Sequence, residues 1–217
     1  MTHNVHPYAH RIGILRDWKS RWFGNRDMYK QFLRSDILLR EYLEKQLRGQ
    51  YVSTIEMERD QKSLRIILQT SRPGVIIGRN GEGVEILKKK VLSFISRNNL
   101  TGAEEVKIDV QEVRSPESNA GIVAKMVQEG LERRLPFRRV LKQTADKVMA
   151  NRDVVGVRLA LSGRLGGADM ARREEIKKGR IPLQTLRADV DFARERGRIA
   201  QGDIGIKVWI YKGDIFE

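Results

Sequence analysis

The residues best suited to chemistry form a short glycine-bounded loop, Gly78, Arg79, Asn80 and Gly81, which we call the GxxG loop. Glycine lets the backbone turn tightly and leaves no Cβ between the chain and a ligand. Arg79 adds a positive charge and Asn80 a neutral hydrogen-bond donor. The loop precedes a predicted helix, and the amides of a helix N-terminus favour phosphate. The loop is therefore suited to holding the phosphate backbone of a nucleic acid.

The segments on either side of the GxxG loop predict two helices. An unbroken apolar run precedes the loop, and an apolar stripe at helical spacing follows it. These residues are Val75, Ile76 and Ile77 before the loop, and Val84, Leu87, Val91 and Ile95 after it. Helix, GxxG loop and helix are typical of a KH domain, whose loop clamps a short run of nucleic-acid backbone. The alternative is a helix-turn-helix corner that needs glycine only for its backbone angles.

Two other phosphate-binding loops are excluded by their spacing. A P-loop requires lysine and then serine or threonine after its last glycine, whereas Glu82 follows Gly81 here. A dinucleotide-binding loop requires a third glycine or an alanine where Ile86 stands.

The charge of the chain indicates a polyanionic partner. Its 217 residues include 42 Lys and Arg against 28 Asp and Glu, a formal net charge of +14. Nucleic acid and an anionic membrane surface are the two classes of partner that such an excess fits. No apolar run approaches the about 18 residues that a membrane-spanning helix needs, and no secretory signal is visible. The absence of cysteine excludes disulfides and thiolate chemistry and favours a cytoplasmic setting.

Residues 1–28 are predicted to form an N-terminal arm in which basic and aromatic side chains alternate. This pattern suits contact with RNA phosphates and stacking on bases, although the tryptophans Trp18 and Trp22 could instead pack on the following domain. The candidate RNA contacts of the arm are Arg11, Arg16, Lys19 and Arg21. His3, His6 and His10 have helical spacing, but Pro7 interrupts them and no cysteine or carboxylate joins them, so no metal site is predicted.

Residues 29–114 predict one α+β domain. A helix over 36–48, capped by Ser35, is followed by two alternating strands, the two helices around the GxxG loop, and a strand at 106–110. This order of elements is that of a type II KH domain.

Residues 115–217 predict a second α+β domain. Ser115 and Pro116 resemble an N-cap and a first helical position, so we expect a helix over 116–134 and a second one from Pro136 to about Met149. Three alternating runs then start near Val155, Leu186 and Ile204. Two helices on a three-stranded antiparallel sheet follow from this pattern.

The second of these helices carries a cluster of cations, Arg138, Arg139 and Lys142, which we call the basic helix patch. At 100° per residue the three project away from the apolar side of the helix. They suit the binding of phosphates, or they form an ordinary solvated helix face.

Taken together, these stretches resemble the bacterial form of the ribosomal protein S-three family, a KH protein in the head of the small ribosomal subunit. The resemblance runs nearly end to end. Its most specific stretches lie at residues 162–172 and 179–189, and residues 72–81 and 205–213 resemble the family's KH loop and its last strand. Members often carry two lysines inside the GxxG loop, whereas Arg79 and Asn80 stand there in this chain.

The resemblance implies a structural role without catalysis, cofactor or metal, in a ribosome-bound, cytoplasmic protein. The implied partners are small-subunit ribosomal RNA, mRNA and neighbouring head proteins, and no membrane. The family residues credited with gripping and unwinding mRNA at the channel entrance correspond to Arg138, Arg139 and Lys142. Further contacts with ribosomal RNA are expected at Arg133 and Arg134, and at Arg164 in the glycine-rich loop 162–168, whose glycines could alternatively serve only tight turns.

Two other classes of function remain as alternatives. A nucleic-acid lyase would need a lysine that is desolvated or crowded by cations, whereas lysines such as those at 88–90 lie in exposed patterns. A free RNA chaperone, or a protein that binds anionic membranes, would use the same excess of charge without a ribosome.

Overall fold

The structure is a computed structural model that describes residues 5–60, 63–100 and 105–216. The chain divides into two compact units. One, the KH unit, spans Trp18–Arg114, and the other, the C-terminal unit, combines the residues up to Asp17 with those from Ser115 onward. The division into 1–28, 29–114 and 115–217 expected from the sequence remains a prediction of domain limits, and His3 lies outside the described residues.

The KH unit packs three helices against a four-stranded sheet. In chain order its elements are β1 (Ser20–Arg21), α2 (Arg26–Gln46), β2 (Val52–Arg59), β3 (Ser63–Thr70), α3 (Pro73–Ile77), α4 (Glu82–Arg97) and β4 (Glu105–Glu112). The strand order is β1-β2-β3-β4, with β2 and β3 antiparallel and β3 and β4 parallel. Leu39 and Leu43 of α2 and Leu87 and Val91 of α4 bury their side chains with those of the sheet. The predicted KH order of elements is confirmed.

Helix α2 begins ten residues before the predicted position. Met28, Tyr29, Leu33 and Ile37 are exposed on its N-terminal part. Because these apolar residues do not face the core, they do not have the spacing from which the start of the helix could be predicted. Ser35 was predicted to cap the helix but lies buried inside it. Its hydroxyl accepts a hydrogen bond from the Arg59 guanidinium.

The C-terminal unit places two helices on one face of an antiparallel sheet. Its elements are α1 (Pro7–His10), α5 (Ala120–Glu132), α6 (Phe137–Met149), β5 (Gly156–Gly163), β6 (Arg172–Gly179), β7 (Ala188–Ile199) and β8 (Gly202–Asp214). The strand order is β6-β5-β8-β7. Val127 of α5 and Leu141 of α6 share one core with Leu159 of β5 and Val208 of β8. The predicted α+β class is confirmed.

Two details of this unit differ from the prediction. The sheet has a fourth strand, β6, which was not predicted because Ile176 is its only apolar residue. A charged edge strand of this kind resists pairing with other chains. Residues Pro116–Ser118 form a separate 3-10 turn, and α5 begins after Asn119. The Asn119 side chain caps α5 by accepting from the amides of Gly121 and Ile122.

A buried ion pair ties α2 to β2 in the KH unit. Arg59 Nη2 lies 2.7 Å from Asp36 Oδ1, and both side chains are 3% exposed. The indole N–H of Trp22 donates to the other Asp36 oxygen at 2.8 Å. Removing one partner of a buried pair leaves an uncompensated charge in the core.

We therefore expect Asp36→Ala to lower the free energy of unfolding of the KH unit by about 3–5 kcal/mol. Hydrogen exchange of the α2 and β2 amides measures this loss. Glu41→Ala, at an exposed position of the same helix, is the control and should change stability by no more than about 0.5 kcal/mol. Equal amide protection in the two variants would contradict a stabilising role for the pair.

Candidate nucleic-acid interface

The GxxG loop is an exposed turn with left-handed backbone at three of its four residues. Gly78 has φ 71°, Asn80 has φ 52° and Gly81 has φ 84°. Glycine adopts such angles without strain, and asparagine tolerates them better than most residues. The choice of Asn80 over lysine therefore suits the local geometry.

The glycines around the loop serve different purposes. A Cβ on Gly83 would lie 2.4 Å from the carbonyl oxygen of Ile76, so the close approach of α3 and α4 requires glycine there. A Cβ on Gly78 would lie 3.0 Å from the Gly83 amide nitrogen. A Cβ on Gly81 would meet no atom within 4 Å. The loop thus has the packing of a tight helical corner and also an open outer side at Gly81 that a ligand can approach.

The surroundings of the loop combine charge with exposed apolar surface. Arg79 and Asn80 are exposed, and α4 begins directly after Gly81. Val75 and Ile77 before the loop and Ile86 after it are exposed as well. Phosphate can thus contact the amides and Arg79, and apolar side chains are available for the faces of bases.

The basic helix patch lies on the exposed side of α6. Arg139 and Lys142 are exposed and form no ion pair with any residue that the structure describes. Arg138 is 74% exposed, and its guanidinium donates to Glu174 of β6 at 3.3 and 3.4 Å. Glu174 belongs to strand β6, which was not predicted from the sequence, and this strand brings a carboxylate beside the patch. Asp146 itself pairs with Lys178.

The Phe137 ring packs against two arginines at this patch. The guanidinium carbons of Arg138 and Arg172 lie 5.6 and 5.5 Å from the centre of the Phe137 ring. Arg172 Nε is also 3.6 Å from Glu174. Arg172 is therefore a fourth cation at the patch, and it was not predicted because the sequence analysis expected no strand at residue 172.

The two arginines before α6 occupy the end of α5. Arg133 is exposed and pairs with Glu129 one turn earlier. Arg134 has φ 61°, and the amides of Arg134 and Leu135 donate to Leu131 and Gly130. This arrangement is a Schellman motif, in which glycine is the usual residue at the position of Arg134. Both arginine side chains are exposed.

Arg11 proves to be a structural residue. It is fully buried, and its guanidinium donates to five backbone carbonyls at 2.6–3.3 Å. The carbonyls belong to Pro7, Pro182, Leu183, Thr185 and Ala188. Burial lowers the pKa of Arg11 from its ordinary value, and the nearby Asp189 carboxylate opposes this effect. All three guanidinium nitrogens thus donate to backbone carbonyls within the protein, three of the bonds coming from Nη2, and Arg11 is removed from the candidate RNA contacts.

The other predicted cations of the arm are engaged to different degrees. Arg16 pairs with Asp189 at 2.5 Å, and Arg21 pairs with Glu56 and Glu58 at 2.9 and 2.7 Å. Lys19 is exposed. Trp22 packs on α2, where its ring centre lies 5.1 Å from that of Tyr29 and 5.6 Å from that of Phe32. This agrees with the alternative in which the tryptophans of the arm pack on the following domain. Trp18 is 57% exposed.

Arg164 closes the glycine-rich loop. It donates to the carbonyls of Ala168 at 2.9 Å and Gln201 at 3.3 Å, and to the Asp169 carboxylate at 3.1 Å. Its side chain is still 43% exposed. Arg164 therefore holds the loop while part of its guanidinium faces solvent.

The described residues contain no group of three or more His, Cys, Asp or Glu side chains that could hold a metal ion. His6 instead packs edge-on against Phe192, with ring centres 4.6 Å apart. Within the described ranges, no helix has the length and apolar character to cross a membrane.

Comparison with known proteins matches both units. The KH domain family matches residues 38–118, and the family described as "Ribosomal protein S3, C-terminal domain" matches residues 127–210. Small ribosomal subunit protein uS3 of Caldicellulosiruptor bescii is 42% identical over 99% of this chain and 94% of its own length. The uS3 protein of Parvibaculum lavamentivorans is 44% identical over 100% of this chain and 89% of its own length. That of Xanthomonas euvesicatoria is 42% identical over 100% and 86%.

The different roles of the glycines lead to a prediction. Gly83→Ala should destabilise the KH unit by about 1–3 kcal/mol, because its Cβ would collide with backbone rather than with a movable side chain. Gly74→Ala is the matched control, since a Cβ there meets nothing within 4 Å in helix α3; it should be neutral or slightly stabilising. Urea unfolding of both variants measures the difference, and equal midpoints would contradict the close approach of α3 and α4.

Proposed function

Because this chain belongs to the uS3 family of small ribosomal subunit proteins, we propose that it is a structural constituent of the small ribosomal subunit. It binds ribosomal RNA in the subunit head, lines the channel through which mRNA enters, and helps to hold mRNA as it unwinds. Its location is then cytoplasmic and ribosome-bound. The observation that carries the proposal is the likeness to uS3 proteins over almost the whole chain, at 42–44% identity.

The GxxG loop is the proposed contact of the KH unit with RNA backbone. Its open side at Gly81, the exposed Arg79 and the start of α4 together present donors to phosphate without a side chain in the way. Exposed Ile77 and Ile86 add apolar surface for the faces of unpaired bases. A loop built only as a corner would need the packing at Gly83 but none of these exposed groups.

The basic helix patch is the proposed contact with incoming mRNA. Arg139 and Lys142 are available to phosphates, while Arg138 shares its charge with Glu174. Contacts with phosphate carry no sequence information, which suits a protein that meets every mRNA. Holding one strand of an opening duplex disfavours re-pairing, so the patch assists unwinding while translocation by the ribosome drives it.

Arg16, Lys19, Arg21, Arg133, Arg134 and Arg164 remain proposed contacts with ribosomal RNA. Arg133, Arg134 and Arg164 keep exposed charge, whereas Arg16 and Arg21 would have to share theirs with the carboxylates that they already contact. No observation favours a lyase, because the described lysines at positions 89 and 90 are exposed rather than desolvated. The similarity to ribosomal proteins favours the ribosome over a free RNA chaperone.

The GxxG loop is tested by reversing its charge. Arg79→Asp with Asn80→Asp should weaken the binding of single-stranded RNA, and the slope of log affinity against log salt should fall by about 0.7 for each lost phosphate contact. Thermal stability should not change, since both side chains are exposed.

Asn25→Asp with Arg26→Asp is the matched control for this experiment. It changes the same two residue types at exposed positions beside the start of α2, where acidic side chains are tolerated. If the two double variants bind RNA alike, the GxxG loop is only a corner.

The basic helix patch is tested on ribosomes that carry Arg138→Ala, Arg139→Ala and Lys142→Ala. Subunit assembly and the translation of unstructured mRNA should stay near normal, whereas elongation through a stable hairpin at the channel entrance should slow. The control is Arg26→Ala, Lys30→Ala and Arg34→Ala, which removes two arginines and one lysine from exposed positions of α2. Equal elongation times through the hairpin for patch variant and control would refute the role, and failed assembly would assign the patch to ribosomal RNA.

A further inference from the structure

The sheet of the C-terminal unit has a second face that is only half covered. Helices α5 and α6 pack on one face. At one end of the opposite face, Trp209, Tyr211 and Val190 pack with Ile181 and Leu183, and His6 packs on Phe192. The rest of that face carries no packed segment of the C-terminal unit among the described residues. We call this remainder, with the cations described next, the open sheet face.

The strand register places cations on both edges of the open sheet face. Arg173 of β6 lies opposite Ser162 of β5, Ser162 lies opposite Gly205 of β8, and Gly205 lies opposite Arg196 of β7. The next row, two residues along each strand, contains Glu175, Ala160, Lys207 and Arg194, and the third row contains Lys177, Arg158, Trp209 and Phe192. Residues two apart on a strand share a face, so all six cations point away from the helices.

Most of this charge is not neutralised within the unit. Glu175 is the one acid in the three rows, and Arg158 and Arg173 donate to it at 2.8 and 3.0 Å. The hydrogen bond from Arg158 is the main reason that the pKa of Glu175 lies below its ordinary value, so this carboxylate stays ionised and occupied. The remaining four cations are exposed and make no ion pair with any described residue. They are Lys177, Arg194, Arg196 and Lys207.

The shape of the open sheet face suits the wide phosphate backbone of a duplex better than it suits an unpaired base. Ser162 and Gly205 are small, and a Cβ on Gly205 would lie 2.9 Å from the Ser162 hydroxyl oxygen, so the middle of the first row stays low. The edge strands β6 and β7, which carry Lys177, Arg194 and Arg196, are three strand spacings apart, about 14 Å, and Lys207 lies between them on β8. Stacking on unpaired bases needs exposed aromatic rings, and Trp209 is only 7% exposed.

We propose that the open sheet face binds the phosphate backbone of double-stranded RNA. The proposal rests on the RNA-binding role proposed above but names a different surface, since the basic helix patch lies on the helix-covered side of the same sheet. The C-terminal unit would thus hold folded RNA with one side and a passing single strand with the other. The surface recognises the shape and charge of a duplex and not its sequence.

The test uses the full chain and a blunt-ended RNA duplex of arbitrary sequence, about 16 base pairs long. In the open-face variant, Arg194→Gln, Arg196→Gln and Lys207→Gln are combined. The slope of log affinity against log salt should fall by about 2 in this variant, as expected for the loss of two to three phosphate contacts. The control combines Arg26→Gln, Lys30→Gln and Arg34→Gln at exposed positions of α2 and equals it in net charge. Equal slopes in variant and control would overturn the proposal.

A gain of binding provides a second readout that misfolding cannot imitate. Glu175→Gln removes the only acid of the three rows and should tighten duplex binding severalfold, while the binding of single strands changes less. The variant of Arg138, Arg139 and Lys142 is measured in parallel. Loss of duplex binding there, with none in the open-face variant, would overturn this inference while leaving the proposed function intact.

Acetylation of Lys177 and Lys207 distinguishes RNA from protein as the partner. Naked small-subunit ribosomal RNA should protect both lysines from acetylation, as read by mass spectrometry. Protection that appears only after other ribosomal proteins are added would assign the face to a protein and overturn the proposal.

Discussion

The structure is governed by an excess of fourteen positive charges that repel one another. A folded chain with this excess needs some of its 28 carboxylates where cations are forced together or buried. Asp36 neutralises Arg59 in the core, and Glu175 lies between Arg158 and Arg173 on the sheet. The cations that remain without such partners collect on surfaces, so the same distribution that permits folding also creates the surfaces that we propose as RNA contacts.

Backbone carbonyls and amides also stabilise charged groups in this structure. The Arg11 guanidinium donates its hydrogen bonds to carbonyl oxygens, whose partial charges stabilise it in addition to the nearby Asp189 carboxylate. In the GxxG loop the polarity is reversed, since amides and a helix N-terminus present partial positive charge to an anion. Both arrangements depend on precise backbone paths, and glycine or proline lies in each of them.

The sequence predicts the elements whose apolar faces meet a core, and little else. The type II KH order and helix α6 follow from apolar periodicity, and both are present. Strand β6 and the first half of α2 could not be found this way, because one is a charged edge and the other exposes its apolar side chains. The burial of Arg11 could not be predicted for another reason. Four of its five partners lie 171–177 residues away, and an alternating basic segment does not show which of its cations turns inward. The open sheet face could not be predicted from the sequence, because its cations come together only through the pairing of the four strands.

The composition of the two units imposes an order of events during synthesis. The KH unit is continuous in sequence and can complete its core as it leaves the ribosome, whereas residues up to Asp17 belong with a unit that begins at Ser115. Arg11 and the carbonyl of Ala188 are 177 residues apart. At about 5–20 residues per second, the first segment of the chain waits roughly 10–35 s for its partners to be made. During that time the Arg11 side chain is in contact with solvent, so the nascent chain exposes a cation that the folded protein buries.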